Sequence, residues 1–292
     1  MLRNIPAALL YYFVIYPLSL LPFGALYFLS DVMFLFIYRI FGYRKKVVFT
    51  NLEKSFPKKT ERELNDITSK FYSHLCDLIV ESIKIFSISE KQVHERMKCS
   101  NPEVINRYFD NNRSVIIAGG HYNNWELFAV AIDELIRHKA IGIYQPLANK
   151  FFDGKMQLTR SRFGLRMIAT KTVKNVFEEE KNNLTATIFA IDQSPSNNKT
   201  CYWTHFMNQE TAVAFGTEKY SVQYNLPVIF GRLFKTSRGH YLLEFEEVCA
   251  NPTETTTGEI TEKITRMLEQ DIIHQPEYWL WSHKRWKLKK IN

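Results

Sequence analysis

A histidine and a carboxylate lie five residues apart, directly after a short apolar segment. Residues 114–126 read Ser-Val-Ile-Ile-Ala-Gly-Gly-His-Tyr-Asn-Asn-Trp-Glu, so His121 follows two glycines and Glu126 ends the stretch. A neutral imidazole accepts a proton near neutral pH, and a neighbouring carboxylate can fix its tautomer and stabilise the imidazolium. The two residues are therefore candidates for a general base and its orienting partner, the chemistry that activates a hydroxyl nucleophile.

The spacing restricts how His121 and Glu126 can meet. Residues five apart on one helix point about 140° away from each other, so a shared helix would separate them. We therefore expect His121 in a turn after a strand and Glu126 in the first turn of the next helix. The partial positive charge at that helix start should keep the imidazole neutral. A helix cap at His121 and a surface charge at Glu126 fit the spacing as well.

Two arginines and three other polar residues complete the predicted site. Arg160, and after it Arg162, could offer a fixed set of donors to an oxyanion or to a substrate phosphate. A surface ion pair is the competing interpretation of both arginines. Asn124, Asp192 and Gln193 are expected to position the substrate, although Asp192 fits a helix cap or a turn equally well.

No metal or other cofactor is predicted. His205 and Glu210 are close in sequence, but no third ligand lies at a suitable spacing. The four cysteines are widely separated, which is typical of a chain in a reducing compartment rather than of a disulfide scaffold. The sequence also lacks the G-x-S-x-G turn of serine hydrolases and the G-x-x-x-x-G-K-[ST] loop of nucleotide enzymes.

Short apolar runs alternate with helical patterns over most of the chain. The predicted strands are Ser114–Ala118, Ile141–Tyr144, Thr185–Ile191, Pro227–Phe234 and Tyr241–Val248, and the predicted helices cover 123–137, 150–162, 212–225 and 259–274. A further helix should run from a capping box at Thr60 and Glu63 to about Phe86. This alternation predicts an α/β fold with a mostly parallel sheet flanked by helices, and an antiparallel hairpin at one edge.

The N-terminal segment differs from the rest of the chain. The 27 residues between Arg3 and Asp31 carry no charge, enough to cross a hydrocarbon layer of about 30 Å. Pro17 and Pro22 should kink or break this segment, so that its second part lies along the membrane interface. We expect a membrane anchor or interfacial segment over residues 1–40 and one α/β domain over 41–292. A buried helix pair is the alternative.

Positive charge is concentrated at two places. The net charge is +8, which favours anionic partners. A basic cluster from Arg39 to Lys46 follows the apolar segment and predicts that the main domain lies on the cytoplasmic side. The aromatic and basic tail Tyr278–Lys290 suits a contact with lipid headgroups. RNA binding and a packed terminal segment are the competing interpretations of the tail.

Short motifs along nearly the whole chain are similar in order and spacing to those of one enzyme family. They are Leu20-Leu21-Pro22, Arg44, Asn51-Leu52, Phe56-Pro57, Gly119-Gly120-His121, Asn124-Trp125-Glu126, Tyr144 to Leu147, Arg160 to Gly164, Asp192-Gln193 and Pro276 to Lys287. The ordered set resembles the lipid A biosynthesis lauroyl/myristoyl acyltransferase family of the lysophospholipid acyltransferase superfamily. Residues 202–211 depart from the glycine-rich turn with paired phenylalanines of that family, a change expected to reshape the acceptor or acyl pocket.

The resemblance implies a glycerolphosphate-acyltransferase type domain that moves a fatty acyl chain from an acyl carrier protein thioester to a hydroxyl of a lipid A precursor or related bacterial glycolipid. By the same resemblance His121 is the general base and Glu126 its orienting partner. The implied partners are acyl carrier protein, an anionic glycolipid and the bacterial inner membrane, without nucleic acid. Acylation of a lysophospholipid or an aminolipid, or a nonenzymatic lipid-binding role, are the alternatives.

Overall fold

The chain begins with two apolar helices. In a computed structural model that describes residues 5–195 and 201–290, helix α1 covers Ile5–Leu20 and helix α2 covers Phe23–Ile40. The predicted break occurs at Leu21 and Pro22, where the backbone is extended. Pro17 does not end α1; instead a π-helical stretch, Tyr11–Ile15, precedes it. The apolar N-terminal segment is therefore broken once, at Leu21 and Pro22.

Four helices follow before the main part of the sheet. They are α3 (Lys45–Ser55), α4 (Glu61–Lys84), α5 (Glu90–Arg96) and α6 (Glu103–Asp110). The capping box predicted for α4 is confirmed, because the Thr60 hydroxyl accepts from the Glu63 amide and the Glu63 carboxylate accepts from the Thr60 amide. The helix ends at Lys84, two residues before the predicted limit.

The rest of the chain alternates strands with helices. The strands are β1 (Met97–Cys99), β2 (Val115–Gly119), β3 (Lys139–Tyr144), β4 (Arg166–Ala169), β5 (Thr185–Ala190), β6 (Cys201–Phe206), β7 (Gln209–Ala214), β8 (Val228–Ser237) and β9 (His240–Cys249). The helices are α7 (Trp125–Leu135), α8 (Lys150–Arg160), α9 (Val173–Glu179), α10 (Gly216–Tyr224) and α11 (Glu259–His274), with short 3-10 turns at Thr170–Thr172, Pro252–Glu254 and Pro276–Tyr278.

The described strands form a large sheet in the order β1-β9-β8-β2-β5-β3-β4, and β6 and β7 form a separate hairpin. In the large sheet β8 and β9 are antiparallel, whereas the other recorded pairs are parallel. Buried side chains of β2 alternate between two apolar clusters, with Ile116 and Ala118 in one and Val115 and Ile117 in the other. Because both faces of β2 are buried, the predicted α/β layer structure is confirmed.

Two predicted boundaries were wrong. The β8–β9 hairpin does not form the edge of the sheet, because the short strand β1 pairs in parallel with β9 and lies outside it. The helix predicted over 212–225 begins only at Gly216, since Ala212 to Ala214 belong to strand β7. Strands β1 and β4 have three and four residues, too few for their alternation to stand out in the sequence.

The N-terminal helices lie against α4 and keep a wide apolar surface exposed. Phe13, Phe28, Ile40 and Phe41 are each more than 60% exposed. By length and composition Phe23–Ile40 could cross a membrane, and only 17% of that window is buried. The tail behaves differently, since Trp279 and Trp281 are buried in the core. Packing in the fold therefore replaces the headgroup contact expected for these two tryptophans.

Candidate active site

His121 lies in the turn between β2 and α7, as predicted. The backbone before it packs closely on helix α11, since a Cβ added at Gly120 would lie 2.7 Å from Leu268 Cδ1. After the histidine, Asn123 adopts a left-handed conformation, with φ of 54°, which asparagine tolerates better than most residues. The turn therefore brings the imidazole to the carboxyl edge of the sheet, where ligands bind in open α/β folds.

The imidazole is held by Asp192. His121 Nδ1 lies 2.7 Å from Asp192 Oδ1, and the His121 amide donates to Asp192 Oδ2 at 2.8 Å. Strands β2 and β5 are parallel neighbours, with Gly119 opposite Ala190. His121 and Asp192 therefore each lie two residues after the last residue of their strand, and these last residues are paired. An ionised carboxylate accepts only, so Nδ1 carries the proton and Nε2 keeps its lone pair.

The pKa values of the pair move in opposite directions. Burial acts to lower the pKa of His121, but the charge and hydrogen bond of Asp192 outweigh it and raise the pKa above the ordinary value. Burial acts to raise the pKa of Asp192, but the charge of His121 and the hydrogen bonds from His121 and Trp279 bring it down to about 2. The neutral imidazole expected from the helix terminus is thus opposed by this carboxylate, which favours the imidazolium.

The C-terminal tail forms the floor of the site. Trp279 Nε1 donates to Asp192 Oδ2 at 2.8 Å, and the Asn123 amide donates to the Tyr278 carbonyl at 3.0 Å. The buried Arg285 also interacts electrostatically with Asp192; burial lowers the pKa of this guanidinium to about 10. Sequence reasoning did not assign Trp279 or Arg285 to the site, although their place in the shared C-terminal motif was a signal.

Glu126 pairs with Arg160. The Arg160 Nε donates to Glu126 Oε2 at 2.9 Å and its Nη2 donates to Oε1 at 2.6 Å. We expected a hydrogen bond between Glu126 and His121, but the carboxylate that accepts from His121 is that of Asp192. Helix α7 directs Glu126 towards Arg160 on α8 instead. Glu126 still influences the imidazole through its charge, which raises the pKa of His121, whereas Arg160 lowers it.

Arg162 lies outside this group of side chains. Its guanidinium donates to the carbonyls of Ile88 at 2.8 Å and Ile85 at 2.6 Å, just beyond the end of α4. These two contacts connect the segment after α8 to the segment after α4. The structure thus separates the two arginines: Arg160 beside the histidine, Arg162 on a backbone turn.

Asn124 and Gln193 have different surroundings. Asn124 is buried, with Nδ2 donating to Glu81 Oε2 at 2.5 Å and Oδ1 capping α7 at the Leu127 amide. Both ends of this amide therefore bond within the protein, and its expected role in substrate positioning stays a prediction. Gln193 is exposed, and its Nε2 lies 3.1 Å from His121 Nε2.

Comparisons with known proteins identify the family of this chain. The family described as bacterial lipid A biosynthesis acyltransferase matches residues 2–288. The chain is 22% identical over 275 residues to the lipid A biosynthesis lauroyltransferase of Escherichia coli strain K12, covering 92% of this chain and 87% of that protein. It is also 22% identical over 251 residues to the palmitoleoyltransferase of the same strain, covering 85% and 80%, respectively. A lipid A biosynthesis acyltransferase of Shigella flexneri matches to the same extent. With a family match over nearly its full length, this chain belongs to the bacterial lipid A biosynthesis acyltransferases and is an O-acyltransferase.

Proposed function

We propose that this enzyme moves a fatty acyl chain from an acyl carrier protein thioester to a hydroxyl of a lipid A precursor or related bacterial glycolipid. The observation that carries the proposal is the His121–Asp192 pair at the carboxyl edge of the parallel sheet. It provides a base whose Nε2 lies 3.1 Å from Nε2 of the exposed Gln193, on a side chain that is itself 18% exposed. An alcohol needs such a base, whereas a thioester leaves readily without a covalent enzyme intermediate.

In the proposed mechanism the acceptor hydroxyl displaces Gln193 and donates to His121 Nε2. The hydroxyl oxygen attacks the thioester carbonyl carbon as its proton passes to Nε2, and Asp192 stabilises the imidazolium. Collapse of the tetrahedral intermediate breaks the carbon–sulfur bond, and His121 returns the proton to the thiolate. Asp192 therefore takes the orienting role that the sequence assigned to Glu126.

Arg160 is proposed to stabilise the oxyanion or to bind an acceptor phosphate. A guanidinium has five N–H donors, and the pair with Glu126 uses Nε and Nη2. The carboxylate of Glu126 would hold the planar group in one orientation, so that no reorganisation is needed as charge develops. Arg160 and Glu126 side chains are 20% and 12% exposed, which keeps their interaction with substrate only partly screened by water.

The N-terminal helices are proposed to hold the enzyme on the cytoplasmic side of the bacterial inner membrane, with residues 1–40 as the interfacial segment and 41–292 as the catalytic domain of glycerolphosphate-acyltransferase type. The exposed apolar side chains of α1 and α2 support this proposal. The basic cluster from Arg39 to Lys46 would lie at the anionic headgroups. A lipid acceptor could then reach His121 without leaving the bilayer.

The direct test incubates purified full-length protein in vesicles with acyl carrier thioesters, acyl-CoA and candidate acceptors, and weighs the lipid products. We expect transfer from the carrier thioester to the lipid A precursor, abolished by His121→Ala and unaffected by His94→Ala, an exposed histidine on α5. Transfer only to a lysophospholipid or an aminolipid would show that the proposed lipid A acceptor is wrong. Unchanged transfer by a folded His121→Ala protein would exclude the mechanism, and no transfer by the wild type would favour a lipid-binding role.

A further inference from the structure

A buried carboxylate, Glu81, joins three parts of the fold. It is 4% exposed near the end of α4. Its Oε1 accepts from the Tyr27 hydroxyl at 2.9 Å, and its Oε2 accepts from Asn124 Nδ2 at 2.5 Å and from the Tyr241 hydroxyl at 2.8 Å. Tyr27 lies on the apolar helix α2, Asn124 precedes the active-site helix α7, and Tyr241 lies on β9. One side chain thus contacts the N-terminal helices, the site and the sheet.

Asn124 transmits this contact to the catalytic group. Its Oδ1 accepts from the Leu127 amide at 2.8 Å and so caps the first turn of α7. That turn carries Trp125, whose ring lies 5.2 Å from the His121 ring in an edge-to-face arrangement, and Glu126, which holds Arg160. A displacement of Asn124 would therefore move the groups on both sides of the imidazole.

We propose that Glu81 is a positioning residue that fixes the start of α7, through Asn124, to helix α2, through Tyr27, so that the catalytic geometry depends on how the N-terminal helices are docked. This inference rests on the proposed function for its kinetic consequences. The connection itself is a run of hydrogen bonds that is partly buried at Tyr27 and buried at Asn124 and Tyr241, and breaking any of them would leave a buried polar atom without that partner.

The chemistry of Glu81 suggests which replacement preserves the link. Burial raises the pKa of the Glu81 carboxyl, although the hydrogen bonds of Tyr241 and Tyr27 act in the opposite direction. A glutamine has the same shape without the charge. Its carbonyl oxygen can accept from Asn124 and Tyr241, and its amide can donate to the Tyr27 hydroxyl oxygen. Glu81→Gln should therefore retain the connection, whereas Glu81→Leu leaves all three donors unpaired.

The chain offers a matched control for the docking of α2. Ser30, one helical turn after Tyr27, donates to Asp77 Oδ1 at 2.8 Å, and Asp77 lies one turn before Glu81 on α4. Ser30→Ala therefore removes a buried hydrogen bond between the same two helices, but one that does not lead to Asn124. Tyr27→Phe removes the bond that does. The comparison separates the proposed link from general loosening of the helix pair.

The experiment measures kcat and KM of the full-length protein in lipid vesicles, together with hydrogen exchange of the amides from Trp125 to Phe128. We expect Tyr27→Phe to lower kcat by about tenfold with little change in KM and to accelerate exchange at these amides. Ser30→Ala should change neither kcat nor the exchange rate of these amides. Glu81→Leu should behave like Tyr27→Phe or worse, and Glu81→Gln should restore most of the wild-type rate.

Equal losses in Tyr27→Phe and Ser30→Ala would overturn the proposal, because docking alone would then explain both. Wild-type exchange and kcat in Tyr27→Phe would overturn it as well. If the wild-type protein transfers no acyl group to any acceptor, the proposed function fails, but exchange at the start of α7 still decides whether the link exists. The two failures are thus distinguishable, and a poorly folded Glu81→Leu protein leaves the Tyr27 and Ser30 comparison intact.

Discussion

The guanidinium of Arg160 binds the carboxylate of Glu126 through two parallel hydrogen bonds, of 2.9 and 2.6 Å. This pair joins the ends of α7 and α8 beside the imidazole, whose pKa both charges affect. A bidentate arrangement fixes the guanidinium in a plane, which a lysine ammonium could not reproduce. In the proposed mechanism Arg160 binds an anionic oxygen of the substrate, and Glu126 holds the guanidinium rather than the base.

Removal of Arg160 should therefore impair turnover strongly. We expect Arg160→Ala to lower kcat/KM about a hundredfold or more, the scale seen when one oxyanion donor is lost. Arg160→Lys should recover only part of the activity, and Glu126→Ala should produce a loss of similar order. Steady-state kinetics of the three variants check this, and wild-type rates in Arg160→Ala would contradict it.

Arg162 provides the matched control for that series. Its guanidinium donates to the carbonyls of Ile85 and Ile88, so we expect Arg162→Ala to lower the Tm while kcat/KM stays close to the wild-type value. Thermal unfolding and kinetics measured on the same preparation separate the two effects. A larger catalytic loss in Arg162→Ala than in Arg160→Ala would reverse the assignment of the two arginines.

Asp192→Asn should be among the most damaging conservative substitutions. The amide group of an asparagine can donate to Nδ1, which would place the ring proton on Nε2 and remove the lone pair needed by the base. We expect kcat to fall by a factor on the order of 10³ to 10⁴, as for loss of an orienting aspartate in other base-assisted reactions. Pre-steady-state rates with a fixed donor would measure it, and a loss below about tenfold would argue against the role of Asp192.

The pH profile should identify His121 as the base. Only the neutral imidazole accepts a proton, and Asp192 raises the pKa of His121 above its ordinary 6.5. Activity should therefore increase as the pH rises through a midpoint above 6.5. In Asp192→Asn the residual activity should have its midpoint at lower pH, because burial still disfavours the imidazolium while the carboxylate is gone. An unchanged midpoint would show that another group controls the profile.

A protein that starts near Gly42 should aggregate rather than behave as a soluble domain. Lys84 Nζ donates to the carbonyls of Ser19 and Leu21, and Asp77 and Glu81 bond to Ser30 and Tyr27. The truncation would remove both of these acceptors from Lys84 and one partner each from Asp77 and Glu81, and it would uncover apolar surface. Solubility and size-exclusion measurements in detergent test this. A monomeric, fully active truncation would exclude the docked arrangement.

Carbonate washing of membranes tests attachment of the intact chain. We expect the full-length protein to stay in the membrane fraction, because the exposed face of α1 and α2 is apolar over much of its length. Phe28→Glu, at a side chain 68% exposed, should weaken the attachment, whereas Lys70→Glu, at an exposed and already charged position on α4, should not. Release of the wild-type protein by carbonate would show that the segment is not integrated.

Several elements could be read from local sequence because local forces set them. The capping box at Thr60 and Glu63 closes within four residues, and Pro22 removes a backbone donor wherever the chain places it. Strand β2 is a continuous apolar run, and β5 combines apolar residues with the β-branched Thr185 and Thr187, so both can be identified before any neighbour is known. The position of His121 after a strand and before a helix follows from the same local pattern, and the ordered motifs indicated the family.

The partners of the site residues were decided only by tertiary structure. His121 and Asp192 are 71 residues apart in sequence, and they meet because β2 and β5 are adjacent and in register. The order of strands is set by the packing of whole layers, which the sequence pattern of a single segment does not encode. Glu126 is only five residues from His121, but helix α7, which begins at Trp125, directs it to Arg160 instead. The residue types of the site were therefore fixed locally, whereas their pairing depended on long-range register and helix direction.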